Sequence, residues 1–294
     1  MTDQKAASRP RARLRSLIEP GKLLVAPGVF DLISVRIASQ MDFQCLYMTG
    51  YGTVASYLGL PDAGLATMTD MANRVSAFTG ATHLPMICDG DTGYGGLLNV
   101  AHTVRTYQQA GASAIQLEDQ EFPKKCGHTP NRRVIPAEEM EKKIRVAVEA
   151  RTDPDMLIVA RTDARSGLGL DEALRRAERY QRAGADVLFI ESPETEEELA
   201  TIGKTFDTPL LVNLVESGRT PILAPDVLQE MGFSIAIYPA LGFLAAGQAL
   251  RNAYGHLART GTSNGLEGSL HDFTAFNLLM GFQQVWDFDK RHAD

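Results

Sequence analysis

The 294-residue chain has few cysteines, no long apolar run and no excess of positive charge. Its three cysteines are too few and too scattered for a disulfide framework, and none forms a CxxC pair. No apolar run approaches the roughly 20 residues needed to cross a bilayer. The polar N-terminus, with four arginines in residues 1–15, lacks the apolar segment of a secretory signal. We therefore expect a cytoplasmic protein without a membrane partner.

The charge balance also limits the partners. The chain has 29 lysines and arginines against 36 aspartates and glutamates, a formal net charge of −7. No nucleic-acid partner is expected, because phosphate binding needs a basic face. Apolar residues make up 44% of the chain and charged residues 22%, which is ordinary for a globular protein with a core. A local acidic cluster is still able to bind a cation.

Short apolar segments alternate with longer amphipathic ones along most of the chain. Eight segments are typical of buried parallel strands, because they are continuously apolar. They are 23–29, 45–49, 85–88, 114–117, 156–160, 187–190, 210–212 and 234–238. Amphipathic stretches lie at 97–110, 137–150, 170–183 and 195–205. Eight such units without a linker predict a single (β/α)8 TIM barrel domain over residues 1–294.

Local signals support this fold. Gly111 and Gly184 follow predicted helices in the same Ala-Gly-Ala setting, where glycine suits the turn that ends a helix. Thr195 and Glu198 have the spacing of a capping box. An apolar helix is predicted over 241–257, after the eighth strand.

The last segment, about 258–294, is predicted to be a helical extension. Its aromatic and apolar residues recur at spacings of three and four: Phe273, Phe276, Leu279, Phe282 and Trp286. Such a stripe packs either on its own barrel or against a neighbouring subunit by exchange. The second alternative is favoured, so a homo-oligomer is expected.

Polar side chains follow nearly every predicted strand. The active sites of such barrels lie at the carboxyl ends of the strands. The residues at those positions are Asp31, Thr49, Asp89, Asp91, Glu118, Asp119, Arg161, Asp163, Glu191, Asn213 and Glu216. A single aspartate there is as often a loop cap as a functional group. Carboxylates crowded at one rim, however, repel each other unless a cation lies among them.

The segment 88–96 is the most specific part of this rim. Its glycines let the backbone approach a ligand, and Asp89 and Asp91 start on the same side of an extended chain. The sequence has no GxxxxGK phosphate loop, no EF-hand and no histidine pair with zinc spacing. An all-oxygen Mg2+ site held by Asp89, Asp91 and Glu118, partly through water, fits best. Cys88 is expected to fill the core.

Cys126 lies in a polar loop after the fourth predicted strand. Lysines, arginines and a histidine surround it in the sequence, and neighbouring cations lower the pKa of a thiol. An exposed thiol without a role is the alternative. His128 is compatible with a substrate contact, a thiolate partner or a plain loop residue.

These motifs together resemble the isocitrate lyase and phosphoenolpyruvate mutase superfamily, on the side of the short-chain 2-methylisocitrate and 2,3-dimethylmalate lyases. The matching stretches, in family order, are 47–52, 58–62, 89–95, 118–120, 124–128, 160–164 and 238–239. Lys-Lys-Cys-Gly-His at 124–128 is specific for the lyase branch. The mutase branch lacks this cysteine, which disfavours phosphonate chemistry.

The resemblance implies a carbon–carbon lyase that cleaves a 2-hydroxy di- or tricarboxylate to pyruvate and a second carboxylate, with Mg2+ or Mn2+ as cofactor. It also implies a homotetramer, a dimer of dimers. By resemblance, Asp89 is the principal metal ligand, and metal-bound waters are held by Asp62, Asp91 and Glu118. Cys126 is the general acid that protonates the departing carbanion. Tyr47 is either the base for the hydroxyl or a packed tyrosine.

Substrate contacts are implied in the same way. The α-keto acid half is bound by Thr49, Gly50 and Tyr51. The other implied substrate-binding residues are Arg161, with Glu191 and Asn213 supporting the site, and Gly127 and His128. Arg161 clamps a carboxylate, for which its planar fork is suited.

Two departures from the methylisocitrate pattern bear on the substrate. Thr-Gly-Tyr-Gly at 49–52 replaces a serine followed by glycines, so that Tyr51 reshapes the pocket wall. Residues 213–218 depart from the form Asn-x-Thr-Glu-Phe-Gly. Both resemble members that cleave substituted malates or hydrolyse oxaloacetate. The alternatives are therefore an oxaloacetate hydrolase or decarboxylase, a phosphoenolpyruvate mutase-like enzyme, and a catalytically silent barrel used as a binding module.

Overall fold

Eight parallel strands pair in chain order and close into a barrel. The computed structural model describes residues 2–18, 21–127 and 132–293. The strands are β1 Leu24–Val29, β2 Leu46–Met48, β3 Met86–Asp89, β4 Ala114–Glu118, β5 Leu157–Thr162, β6 Val187–Ile190, β7 Leu210–Asn213 and β8 Ile235–Tyr238. β8 pairs with β1, with Leu24 opposite Ile235, and this completes the ring. The predicted barrel and its eight strands are confirmed.

Helices connect the strands and continue beyond the last one. They are α1 Thr2–Leu17, α2 Leu32–Ala38, α3 Gly50–Leu58, α4 Met68–Thr79, α5 Leu97–Gln109, α6 Ala137–Ala150, α7 Arg165–Leu168, α8 Leu170–Arg182, α9 Glu196–Thr205, α10 Pro225–Glu230, α11 Leu241–Thr260, α12 Phe273–Leu279 and α13 Phe282–His292. The predicted amphipathic stretches are α5, α6, α8 and α9, within about a residue at each end. α11 runs three residues beyond the predicted 257.

Alternate strand residues build a core inside the barrel. Tyr47 belongs to this inner cluster, together with Leu24 and Cys45 near the strand starts. Leu14 and Ile18, from α1 and the residue that follows it, pack into the same cluster. α1 therefore closes the barrel at the end where the strands begin, which leaves the opposite end for a site.

Of the local predictions, the two glycine turns are confirmed and the capping box is partly wrong. Gly111 and Gly184 have φ values of 99° and 101°, in the region that favours glycine. The Thr195 hydroxyl accepts from the Glu198 amide over 3.2 Å. The Glu198 carboxylate, however, accepts from the Glu194 amide over 2.8 Å and does not complete a capping box at Thr195. It is drawn there because it also pairs with Arg165.

Residues 243–294 form a second compact unit, separate in its contacts from 1–242. Gly281, with φ 94°, divides the predicted aromatic stripe between α12 and α13. Within this unit Leu279 is buried, whereas Phe273 and Trp286 are exposed. The single-domain organisation and the extension from about 258 stay predictions. None of the described helices is long and apolar enough to span a membrane.

Candidate active site

The polar rim continues the inward-facing rows of the strands. Ile87, Val159 and Phe189 belong to the inner core, and the residues two positions later are Asp89, Arg161 and Glu191. Because side chains alternate along a strand, the rows that bury apolar groups lower in the barrel carry polar groups at its carboxyl end. The polar members of these rows are Asp89, Gln116, Glu118, Arg161, Glu191 and Asn213.

Three of the predicted carboxylates lie together at the ends of β3 and β4. Asp89 and Asp91 are each 7% exposed and Glu118 is 2% exposed. The Asp91 amide donates to Asp89 Oδ1 over 3.1 Å, and the Glu118 amide donates to the Asp91 carbonyl over 2.9 Å. Burial raises the pKa of Asp91 to about 7, although Lys124 opposes the rise. Burial also raises the pKa of Glu118 well above its usual value. Burial thus disfavours the charged form of both acids, and a nearby cation would offset this effect.

Lys124 supplies part of that charge. Its Nζ atom lies 2.5 Å from Asp62 Oδ1 and 2.7 Å from Asp91 Oδ1, and the residue is 3% exposed. Burial alone would lower the pKa of this ammonium. The negative charges of Asp91 and Asp62 outweigh that effect, so the pKa lies well above its usual value. The sequence placed Lys124 among the cations around Cys126. Its ammonium is instead directed to the carboxylates, because two buried acids bind it more strongly than a neighbouring thiol does.

The acidic residues fit a hydrated cation better than a directly chelated one. Glu118 Oε1 is buried and has no hydrogen-bond partner among the described residues. Over residues 2–18, 21–127 and 132–293, however, no three His, Cys, Asp or Glu side chains converge closely enough to hold one ion. Carboxylate oxygens are the ligands that Mg2+ prefers, and Mg2+ keeps several of its waters. The donor set thus agrees with one direct ligand and further contacts through water.

The start of α3 lies against the Asp89 carboxylate. Thr49 is the N-cap of this helix, and its hydroxyl accepts from the Gly52 amide over 3.5 Å. A Cβ atom on Gly50 would lie 2.5 Å from Asp89 Oδ2, so this close approach requires glycine. The first-turn amides of a helix are suited to an anionic group. Tyr51 is 41% exposed beside them.

Arg161 is fixed at the end of β5. Its Nε and Nη2 atoms each donate to Asp163 over 2.9 Å. Carboxylate oxygens of Glu118 and Glu191 are each 3.4 Å from the guanidinium. Asp163 also pairs with Arg132, so two arginines share its charge. With its Nε–Nη2 edge held by Asp163, the guanidinium has its remaining N–H groups, on Nη1 and Nη2, to offer a carboxylate.

The loop that carries Cys126 lies on this arginine. A Cβ atom on Gly127 would overlap the Arg161 guanidinium and come within 3.0 Å of Glu191 Cδ. Glu191 in turn accepts from Asn213 Nδ2 over 3.1 Å. Cys126, which forms no disulfide, is partly buried and precedes Gly127 in this loop. His128, the remaining predicted member of this loop, lies outside the described residues.

Tyr47 is buried and hydrogen-bonded inside the barrel. Its hydroxyl donates to Gln116 Oε1 over 3.1 Å, and Gln116 Nε2 donates to Asp89 Oδ1 over 3.4 Å. Burial raises the pKa of the Tyr47 phenol well above its usual value. A phenol that holds its proton orients Gln116 and Asp89, which favours the packed tyrosine over the base. Gln116 is not among the predicted site residues, although a glutamine inside an apolar strand is a visible signal.

A buried acid supports the site from behind. The Asp119 carboxylate accepts from the Thr162 hydroxyl over 2.7 Å, the Asp163 amide over 2.9 Å and the Tyr180 hydroxyl over 2.8 Å. Arg176 adds an ion pair at 3.1 Å. Asp119 is fully buried, and burial raises its pKa. This network fixes the backbone of Asp163, which is the residue that holds Arg161 in place.

Asp119→Ala is expected to destabilise the protein by about 3 kcal/mol, because it leaves buried groups of Arg176 and Tyr180 without their acceptor. The shift of the thermal unfolding midpoint measures the effect. Asp171→Ala, at an exposed position of α8, is the matched control and should change stability by less than about 0.5 kcal/mol. A midpoint for Asp119→Ala equal to that of the control would contradict the role given to this network.

Comparison with known proteins decides the family. Residues 14–258 match the family model described as phosphoenolpyruvate phosphomutase. The chain belongs to this family. It is 44% identical to 2,3-dimethylmalate lyase of Eubacterium barkeri over 96% of this chain and 98% of the relative. It is 41% identical to 2-methylisocitrate lyase of Aeropyrum pernix over 97% of this chain and 91% of the relative. The superfamily predicted from the sequence is confirmed.

Solved structures of this family have the same fold. Oxaloacetate acetylhydrolase in complex with the inhibitor 3,3-difluorooxalacetate has a TM-score of 0.90 at 34% identity, over 96% of each chain. Phosphonopyruvate hydrolase in complex with oxalate and Mg2+ has a TM-score of 0.88 at 29% identity, over 97% of this chain and 99% of the other. The chain is thus an enzyme of the phosphoenolpyruvate mutase and isocitrate lyase superfamily.

Proposed function

We propose that this enzyme is a Mg2+-dependent carbon–carbon lyase that cleaves 2,3-dimethylmalate or 2-methylisocitrate to pyruvate and a second carboxylate. The observation that carries the proposal is the contact of Gly127 with Arg161 and Glu191, which brings the Cys126 loop onto a carboxylate-binding arginine beside an acidic cluster. The two lyases that resemble the chain over nearly its whole length support the same reaction.

The acidic cluster would hold the metal. Asp89 would be the direct ligand, and Asp62, Asp91 and Glu118 would bind its waters, with Mg2+ favoured and Mn2+ also suited to oxygen ligands. Such an ion supplies Lewis-acid stabilisation of the developing α-keto acid. Lys124 lies on two of these carboxylates, Asp62 and Asp91, so its ammonium would contribute to the same electrostatic stabilisation.

The residues around this cluster would bind the two halves of the substrate. The α-keto acid half would lie at the start of α3, on the Thr49 hydroxyl and the amides of Gly50 and Tyr51. The other half would lie on Arg161, with Glu191 and Asn213 behind it. Gly127 and His128, from the loop, would complete its cover.

The chemistry is a retro-aldol cleavage. A general base takes the proton of the C2 hydroxyl, the C2–C3 bond breaks, and C2 becomes the keto carbon of pyruvate. The bonding electron pair stays on C3 as an aci-carboxylate, which Arg161 would stabilise. The Cys126 thiol then protonates C3, and the proton taken by the base returns to the thiolate through solvent once the loop has opened. Closure of the loop excludes water during these steps.

Oxaloacetate hydrolysis or decarboxylation is the second candidate. Its support is the likeness to oxaloacetate acetylhydrolase, at a TM-score of 0.90, although a 2,3-dimethylmalate lyase structure has the same score. Tyr51, which is exposed beside the start of α3, is a residue whose bulk selects among these acids. The cysteine in the loop disfavours a phosphoenolpyruvate mutase-like reaction.

A substrate panel tests the proposal. The purified enzyme with Mg2+ should release pyruvate from 2,3-dimethylmalate or 2-methylisocitrate, and the same preparation treated with a chelator serves as the control. Oxalate from oxaloacetate, without pyruvate from the hydroxy acids, would establish the second candidate instead. The absence of any keto acid or oxalate from all substrates would indicate a silent barrel.

A homotetramer and a cytoplasmic location belong to the same proposal. Apolar side chains remain exposed on the unit 243–294, and they include Leu250, Tyr254, Leu257, Phe273, Phe282, Trp286 and Phe288. A surface of this kind is typical of a subunit contact. None of the three cysteines, all of them described, forms a disulfide, which agrees with a reducing compartment. Light scattering measures the mass, and a monomer at micromolar concentration would contradict the assembly.

A further inference from the structure

The peptide groups on both sides of Cys126 are held by buried side chains. Before it, Gln120 Oε1 accepts from the Lys125 amide over 3.0 Å, and Gln120 Nε2 donates to the Lys125 carbonyl over 2.9 Å. Gln120 is 2% exposed. One side-chain amide therefore pairs with both polar groups of a single loop residue, as a neighbouring strand would.

After Cys126, the contact is made by Ser192. Its hydroxyl lies 3.2 Å from the Gly127 carbonyl and 2.9 Å from Glu191 Oε1. Ser192 is fully buried and has φ 60°, a backbone conformation that is unfavourable for a residue other than glycine. With one hydrogen, the hydroxyl donates to the loop or to Glu191 at any moment, so it connects the two.

The base of the loop is fixed separately. The Glu121 amide donates to the Arg133 carbonyl over 2.8 Å, and Gln120 forms an isolated antiparallel bridge with Val134. These bonds hold the two ends of the loop together but do not orient the residues near its middle. The ion pairs of Lys124 hold a side chain, whereas Gln120 and Ser192 hold the main chain that sets the direction of the Cys126 side chain.

We propose that Gln120 and Ser192 are positioning residues that orient the Cys126 thiol toward the substrate when the loop is closed. The inference rests on the proposed function, in which Cys126 is the proton donor. A displacement of about 1 Å at a reacting group can cost about 10²-fold in rate. If the peptide groups of Lys125 and Gly127 lost their hydrogen bonds to Gln120 and Ser192, Cys126 could shift by such a distance. No group that contacts the substrate would have been removed.

The experiment measures turnover and thiol protection together. Gln120→Met retains the approximate volume of the side chain and removes both hydrogen bonds, and Ser192→Ala removes the hydroxyl. Each variant is assayed for kcat and KM, and for alkylation of Cys126 by iodoacetamide with and without Mg2+ and oxalate. Cys45 and Cys88 are fully buried, so Cys126 is the thiol that reports. Gln181→Met and Ser39→Ala, whose side chains bond Thr208 and Thr82, are the matched controls.

Gln120→Met is expected to lower kcat about tenfold or more with KM within about threefold of wild type. In the wild type and controls, Mg2+ with oxalate should slow alkylation about tenfold, and this protection should largely disappear in Gln120→Met. Ser192→Ala should show the same pattern with a smaller effect, and it provides the answer if Gln120→Met does not fold.

Equal protection in these variants and in the wild type, including no protection in any of them, would overturn the inference whatever happens to kcat. The proposed function fails by a different result, namely full activity of Cys126→Ser. A third result separates the two. If Gln120→Met loses the protection of Cys126 from alkylation while Cys126→Ser keeps full turnover, Gln120 positions the loop as inferred, but the reaction does not use the thiol.

Discussion

Cys126→Ser is expected to lower kcat by about 10²-fold or more, while the fold and the affinity for Mg2+ should stay unchanged. This expected loss is the size of a general-acid contribution, because a serine hydroxyl is a much weaker acid than a thiol. The substitution changes one atom on a partly buried loop residue, so the surrounding contacts are retained. Steady-state kinetics with the best substrate of the panel measure it.

Cys45→Ala is the matched control for this prediction. Cys45 is fully buried in the inner core, and burial raises the pKa of its thiol to about 12. Its removal should lower stability through a small cavity and leave kcat near the wild-type value. Unchanged turnover in Cys126→Ser would remove the thiol from the mechanism.

Asp89→Asn is expected to abolish detectable turnover, because the neutral amide is a far weaker ligand for Mg2+ than a carboxylate. Asparagine keeps the shape of the side chain beside Gly50 and an acceptor for the Asp91 amide. Calorimetric titration with Mg2+ should show binding to the wild type and none to the variant. Asp171→Asn, on the exposed face of α8, is the control for the loss of one negative charge.

Removal of the metal from the wild type tests the same prediction independently. Treatment with a chelator should abolish turnover, and added Mg2+ or Mn2+ should restore it. Full activity after chelation, or normal turnover in Asp89→Asn, would contradict the metal assignment.

The rim of the site is predictable from the sequence because the barrel imposes a rule. Continuous apolar segments mark the strands, and the residue at the carboxyl end of each strand faces the site. Asp89, Glu118 and Arg161 are found in this way without knowledge of any contact. The resemblance adds Cys126, which no strand carries and which its surroundings alone leave ambiguous.

The directions of loop side chains are not predictable in the same way. Lys124 stands two residues before Cys126 in the sequence, yet its ammonium pairs with Asp62 and Asp91, which belong to earlier parts of the chain. Gln120 belongs to a matching motif, but its role depends on where the Lys125 peptide returns. Both contacts depend on the path of the loop, which local propensity does not determine.

The N-terminal helix was missed for a related reason. Residues 2–17 are polar, with Pro10 inside the helix, and isolated helices of this length are marginal. Its stability comes from tertiary contacts, because Leu14 is buried in the inner core and the Arg11 Nε atom donates to the Ala112 carbonyl over 2.9 Å. A helix that is stabilised by tertiary contacts rather than by its own residues has no clear helical signal in the sequence.

The ion pairs of Lys124 have a thermodynamic consequence for the whole site. Lys124 belongs to the segment that bears the Cys126 thiol, and its ammonium pairs with Asp62 and Asp91. Under the proposed function, a hydrated cation would interact with the same two carboxylates. By linkage, any effect of the ion on the position of that segment would be matched by an equal effect of the segment on the affinity for the ion.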